Sequence, residues 1–389
     1  MNVVYRLWPL LFFPIDMLSG FFIDTAGTSY QISVIYKGIF IILCLFVLIS
    51  NDIKEQSLLV GCIILVIVFY SFAYAVFNGF DSLIIQLPET VKLFAIFLII
   101  SSMWTLKDAS IGVLDKFNFY TLLFLFFNVV IGVFGYGFNT YDDSGFKGYI
   151  YAGNSLSAIL ALLTTHYLVV MYRDGLIKYI LTAFFFLAIS FLIGTKSGIL
   201  SVVIISIFVF LYDAKLKVII RFLTFSMLFL LVLFLFGDFF LQSALYARSL
   251  YIYQEYGLVG LVLSGRNEFF NSVSKEFFDS GLSTFLLGLY KYGVNSLEHD
   301  VVEMDWVDLL FSYGFIIYAV YLMCFVFYIL FCIRNTNGLY RKEIIISGVM
   351  LIIISFIAGH VIFNGVLVPY WGVSIGLLLI KSYQQKESV

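Results

Sequence analysis

Five carboxylates and a histidine crowd into eleven positions of this 389-residue chain: Glu298, His299, Asp300, Glu303, Asp305 and Asp308, within the stretch SLEHDVVEMDWVDLLFSYG. A histidine beside carboxylates keeps its proton more readily and makes a general acid or base near neutral pH. If a helix begins near Glu303, then Glu303 and Asp305 occupy its first turn. Carboxylates there complement the positive helix end at roughly 0.3–1 kcal/mol each. That leaves Asp308, one turn deeper in an apolar run, where an aspartate costs about 2.5–3.5 kcal/mol on insertion scales and usually faces a cavity or a partner. It also leaves His299, which becomes an i,i+4 neighbour of Glu303 if the helix reaches back that far. Glu303 and His299 are the candidate proton acceptors. Asp305 and Asp308 are candidates for positioning.

Three cations suit an anionic partner for such chemistry. Lys196 sits in the turn GTKSG, where Thr195, Ser197 and two glycines offer backbone N–H groups beside an ammonium. Arg266 follows Ser264 and Gly265, and its planar fork matches two oxygens of a phosphate. Arg248, in YARSLY, is the third, whereas Lys291 reads as a solvated loop charge. A metal could in principle use His299, Asp300 and Glu303, or Asp142 and Asp143, but no HExxH-type spacing supports one, so no metal or cofactor is expected. Cys44, Cys62, Cys324 and Cys332 lie inside apolar runs at spacings that fit no metal motif.

The elements that must carry these residues are set by composition. The chain is 62% hydrophobic and 12% charged, with mean hydropathy +1.05. A soluble domain carries about 25% charged residues and needs a polar skin, so the bilayer is the solvent. Apolar runs of about 20 residues without alternation mean helices. The net charge of −2 suggests no nucleic-acid surface. The expected architecture is an all-α polytopic membrane protein, a single integral membrane domain over residues 1–389. It has about twelve spans, near residues 7–23, 31–50, 58–77, 84–103, 117–139, 151–171, 178–194, 198–212, 219–240, 305–333, 343–363 and 366–380. The first, with Pro9, Pro14 and Asp16, is expected to be broken or interfacial, and retained rather than cleaved. Fourteen Lys and Arg fall at one set of span ends and six at the other, which places both termini in the cytoplasm. Residues 241–304 then form one long external loop. Within it, SGRNEFFNSVSKEFFDSG spaces Phe269, Phe270, Phe277 and Phe278 as an amphipathic helix on the membrane.

Three motifs in this frame resemble the O-antigen ligase and O-antigen polymerase superfamily. GTKSGIL is similar to the family's Ser-Arg/Lys-Ser/Gly-Gly turn, with Lys196 in the basic position. LSGRNEFF is similar to its Ser-Gly-Arg motif before an amphipathic helix, and EMDWVDLLFSYGFI to the segment that closes the long loop, ending here in Tyr313-Gly314. YAGNSLSAIL resembles the Asn-containing entry to a mid-chain span, with Asn154 in the polar position. Ligase members carry a histidine about eleven residues before that glycine, a place taken here by Glu303, which favours the polymerase branch.

The resemblance implies a GT-C-like glycosyltransferase of the bacterial cytoplasmic membrane, inverting and metal-independent. It would join polyprenyl-pyrophosphate-linked oligosaccharides into O-antigen, capsule or exopolysaccharide. Lys196, Arg248 and Arg266 would hold the donor pyrophosphate, Glu303 or His299 would act as base, and loop tyrosines such as Tyr292 would line the sugar site, where Asp305 or Asp308 would hold a hydroxyl. A flippase and a chain-length regulator are the expected protein partners. The alternatives are a ligase transferring glycan to a lipid acceptor, and a lipid-linked oligosaccharide transporter. No repeat relates the two halves, which weighs against the transporter.

Overall fold

The computed structural model describes residues 6–27, 32–50, 54–108, 112–141, 144–212, 244–289, 302–359 and 361–387. In lipid each backbone N–H and C=O must find its partner inside the chain, and the apolar runs accordingly fold as helices. They are α1 (Phe12–Ala26), α2 (Ile32–Ser50), α3 (Lys54–Asn78), α4 (Leu83–Thr105), α5 (Phe117–Val133), α6 (Gly153–Asp174), α7 (Leu176–Ile193) and α8 (Lys196–Leu211). After them come α9 (Ala244–Leu263), α10 (Arg266–Asp279), α11 (Leu282–Leu287), α12 (Asp305–Asn335), α13 (Gly338–Ile357) and α14 (Leu367–Glu387). Among the described residues, eight helical stretches are long and apolar enough to cross a membrane, seven before residue 194 and the eighth α12. The expected twelve is not confirmed. α8 is apolar but short, α13 opens on Arg341, Lys342 and Glu343, and α14 ends in SYQQKE. The expected span 219–240 lies outside the described residues.

α6 is the central helix and packs on α7, α8 and α13. Small polar residues on it, Ser155, Ser157, Thr164 and Thr165, are buried, as suits close helix approach without bulky side chains. α4 packs on α3 and α14 beside it. The first span is not broken. Pro9 opens a short 3-10 turn (Trp8–Leu11) and Pro14 falls in the first turn of α1, both places where the missing N–H is not needed. Asp16 is buried and paired: Lys37 Nζ of α2 donates to both its oxygens at 2.6 and 2.8 Å and to Val366 O at 3.2 Å. Ser33 and Tyr370 also donate to it.

Removing one partner of a buried pair strands the other charge, at about 3–5 kcal/mol. Lys37→Met is therefore expected to lower the thermal midpoint in detergent sharply, and the double change Asp16→Asn/Lys37→Met to recover much of the loss. A single variant as stable as wild type would show the pair to be dispensable.

One expected span is cut short. The run 117–139 ends as a helix at Val133, and an antiparallel hairpin follows, β1 (Phe138–Tyr141) with β2 (Ser144–Gly148). The buried Asn128 of α5 explains this. Its Nδ2 donates to Lys147 O at 2.6 Å and its Oδ1 accepts from Tyr149 N at 2.9 Å, so one side chain satisfies backbone that a helix would have satisfied itself.

The described part of the expected external loop, residues 244–289, is helical. α10 is amphipathic, as its spacing predicts. It buries Val273 and Phe277 in a cluster with Phe311 and Val302 at the start of α12, while Phe278 stays exposed. α12 is interrupted at Gly314 (φ 77, ψ 173). A Cβ at Gly314 would lie 2.4 Å from Leu286 O, so the Tyr-Gly pair exists to let α11 meet α12 backbone to backbone.

Candidate active site

Two residues other than glycine adopt positive φ among the described residues, Ser264 (φ 57) and Glu303 (φ 61). The left-handed region costs an ordinary residue roughly 1–2 kcal/mol, and such strain clusters where function requires it. Here both residues serve one arrangement. Ser264 and Gly265 (φ 86) form a tight reversal between α9 and α10, closed by Gly265 N donating to Gly260 O at 2.9 Å. The reversal delivers Arg266, the first residue of α10. Its Nη1 donates to Leu263 O and Ile357 O, each at 3.3 Å, and its Nη2 to Glu303 Oε2 at 2.8 Å. The arginine side chain is 11% exposed and the glutamate 41%.

Glu303 precedes the helix, as the expected span from residue 305 has it, and so does not occupy its first turn. α12 begins at Asp305, with Met304 extended (φ −128, ψ 101) before it. Asp308 is the cause. Its Oδ1 accepts from Val302 N at 2.7 Å and its Oδ2 from Met304 N at 2.9 Å, clamping the chain on both sides of Glu303. A non-helical Glu303 removes the expected helical i,i+4 relation to His299, which itself lies outside the described residues, as does Tyr292. Asp305 Oδ2 accepts from Val361 N at 2.7 Å and Ile362 N at 2.9 Å, fastening the turn between α13 and α14. That turn supports Glu303 from behind: a Cβ at Gly359 (φ +62) would sit 2.4 Å from Glu303 O. Asp305 and Asp308, 2% and 7% exposed, thus spend these oxygens on the backbone that frames Glu303.

The second cation reaches the same place from α8. Thr195 caps that helix, its Oγ1 accepting from Gly198 N at 3.2 Å and meeting Ser157 Oγ of α6 at 2.5 Å. One turn before Ser157, Asn154 Nδ2 donates to Ala358 O at 2.9 Å, next to the carbonyl of Ile357 that Arg266 holds. Asn154 therefore ties α6 to the end of α13. Lys196 is half-buried, and the charges of both Arg248 and Arg266 act on it. All three expected cations are brought together, although Arg248 is exposed on α9.

Glu303 pairs with Arg266 Nη2, while Lys196 Nζ and Arg266 Nε have no hydrogen-bond partner. Four side-chain atoms on the first two residues of α8 and α10 have neither water contact nor a hydrogen-bond partner: Lys196 Nζ, Ser197 Oγ, Arg266 Nε and Asn267 Oδ1. They are half of the eight such atoms among the described residues. A dry, unpaired polar group costs about 1–3 kcal/mol, more when charged, so Lys196 Nζ and Arg266 Nε mark room for an anion. The helices α8 and α10 both begin at this spot, adding positive end-potential. The arrangement can bind an anion at Lys196 and Arg266 and accept a proton at Glu303. Asn267 went unmarked in the sequence, where its sole signal was adjacency to Arg266, and Ser197 was read only as part of the GTKSG turn. The other metal candidates, Asp142, Asp143, His299 and Asp300, lie outside the described residues.

No curated protein matches this chain. Residues 253–385, which supply Arg266, Asn267, Glu303, Asp305 and Asp308, match the family model described as O-antigen ligase like membrane protein, so this multi-pass membrane chain is similar over that stretch to the O-antigen ligase and polymerase superfamily.

Proposed function

We propose that this protein is a polysaccharide repeat-unit polymerase, a glycosyltransferase acting on the outer face of a bacterial cytoplasmic membrane. Both substrates would be polyprenyl-pyrophosphate-linked oligosaccharides. The observation that carries this reading is the Arg266–Glu303 pair beside Lys196, a proton acceptor held next to a cation whose Nζ has no hydrogen-bond partner.

In this mechanism the acceptor hydroxyl oxygen attacks the anomeric carbon of the donor sugar. The bond from that carbon to the pyrophosphate oxygen breaks, and its electron pair stays on the leaving polyprenyl pyrophosphate. Lys196 Nζ and Arg266 Nε stabilise the charge that develops there, an electrostatic task for preorganised donors. Arg248 adds field from the rim. The hydroxyl proton passes to Glu303, whose Oε2 stays with Arg266 while Oε1 takes the proton. Attack opposite the leaving group inverts the anomeric centre. His299 is the other candidate base. Asp305 and Asp308 act as positioning residues, holding Glu303 in its left-handed conformation. Residues 241–304 would lie outside and both termini inside.

A ligase would use the same site with a different acceptor. Glu303, standing where ligases carry histidine, favours the polymerase. The test is incubation of the purified protein in nanodiscs with a lipid-linked repeat unit, followed by gel analysis. A ladder of lengthening products is expected. Transfer of single units to a different lipid acceptor would make the protein a ligase, and movement of the lipid across the bilayer without bond formation would make it a transporter.

A further inference from the structure

Gly348 sits in the middle of α13, where glycine costs a helix roughly 1 kcal/mol against alanine. In membrane helices small residues usually let two backbones approach closely. Two glycines of α14 do this: a Cβ at Gly372 would lie 2.9 Å from Ile99, and one at Gly376 2.5 Å from Met103. Gly348 does not, because nothing stands within 4 Å of the place its Cβ would take. It lines a cleft instead, bounded by α4, α12, α13 and α14, with a volume of about 660 Å³. That falls within the range of about 300–1,000 Å³ for ligand sites. Ile329 of α12 and Val349 of α13, 36% and 37% exposed, lie at its open side.

The lining is apolar, with rings from Phe97, Phe325, Tyr328 and Trp371. Tyr328 OH is paired with Ser101. Trp371 is 3% exposed, and its indole Nε1 has neither water contact nor a hydrogen-bond partner. One end of the cleft adjoins the candidate active site. On α13, Ile352 lines it, Ser355 accepts from Trp306 Nε1 at 2.7 Å, and Ile357 supplies the carbonyl that Arg266 holds. On α12, Phe325 of the lining touches the ring of Trp306, three residues after Glu303. At about 1.5 Å per residue, the stretch from Ile352 to Ile344 begins roughly 8 Å along α13 from the Ile357 carbonyl and ends roughly 20 Å from it. A lipid pyrophosphate held at Lys196 and Arg266 must send its chain into the bilayer, and this cleft leads there. A saturated acyl chain offers the indole N–H no acceptor. An isoprenoid chain carries a double bond in every unit, whose π electrons accept an N–H weakly.

We propose that this cleft binds the polyprenyl chain of the lipid-linked donor, with Gly348 leaving room for the branched chain and Trp371 donating to one of its double bonds. This assignment rests on the glycosyl-pyrophosphate reading of the Lys196 and Arg266 site.

Three ligands separate the outcomes: a long-chain polyprenyl pyrophosphate, its fully hydrogenated counterpart, and geranyl pyrophosphate, whose chain is too short to run down the cleft. Binding to the protein in nanodiscs of saturated phosphatidylcholine is measured by native mass spectrometry. Gly348→Leu fills the cleft with a side chain that suits a helix. It is expected to weaken both long-chain lipids about tenfold, equivalent to the burial of about two methylene groups. Geranyl pyrophosphate should bind as it does to wild type, which also shows that the variant is folded. Trp371→Phe is expected to weaken the polyprenyl lipid about two- to fivefold and to leave the hydrogenated lipid unchanged. Wild-type protein that binds none of the three would overturn the glycosyl-pyrophosphate reading itself. Wild-type binding, with Gly348→Leu lowering all three equally or none, would leave that reading standing and overturn the cleft as the chain's site. Equal weakening of both long-chain lipids by Trp371→Phe would overturn the assignment to an isoprenoid over a saturated chain.

Discussion

Arg266→Ala is expected to abolish ladder formation, lowering the transfer rate by at least about 10²–10³-fold, the usual loss when one preorganised charge-stabilising donor is removed. The side chain does three jobs from one position. It holds Glu303 through Nη2, ties the α9–α10 reversal to the end of α13 through Nη1, and keeps Nε dry and unpaired, which in the proposed mechanism serves the leaving group. Alanine removes all three and leaves Glu303 without its cation. Arg266→Lys should recover little, because a single ammonium cannot serve a carboxylate, two carbonyls and a phosphate from one plane. Membrane insertion should persist, since the apolar helices that direct it are untouched. The measurement is the initial rate of product formation at matched protein amounts. Wild-type rates in both variants would remove Arg266 from the mechanism and take the proposed anion site with it.

Glu303→Gln should lower the single-turnover rate by about 10²–10⁴-fold, the range for loss of a general base. Glutamine keeps the size of the side chain and an oxygen for Arg266, so binding of the lipid-linked donor should hold close to wild type. The effect belongs to the transition state, where the proton moves. The structure sharpens this expectation beyond what charge alone supports. Glu303 keeps a conformation that glycine would adopt more cheaply, under a clamp built from Asp308 and a support built from Gly359 and Asp305. A solvated surface glutamate has no such framing. Rates are measured at saturating donor. If Glu303→Gln turns over like the parent while His299→Gln does not, the base is His299 and Glu303 serves only to orient Arg266.

Hydropathy alone determined much of the architecture, for a physical reason. A lipid solvent leaves the backbone no partner but itself, so a long apolar run has one outcome, and eleven of the twelve expected spans coincide with described helices. Eight of these helical stretches carry enough apolar length to cross a membrane. The amphipathic spacing of α10 was legible too. The hairpin at 138–148 was not legible, because it follows from Asn128 reaching 19 and 21 residues ahead to backbone groups. The start of α12 matches the expected span at residue 305, but the conformation of Glu303 before it was not legible: the carboxylate of Asp308 captures the N–H groups on either side. Only the tertiary structure could join Arg266 to Glu303 across 37 residues and bring Lys196 to them from α8. It alone could show that Lys196 Nζ and Arg266 Nε end dry and unpaired, since burial and a missing partner are properties of the assembled helices and not of any local stretch.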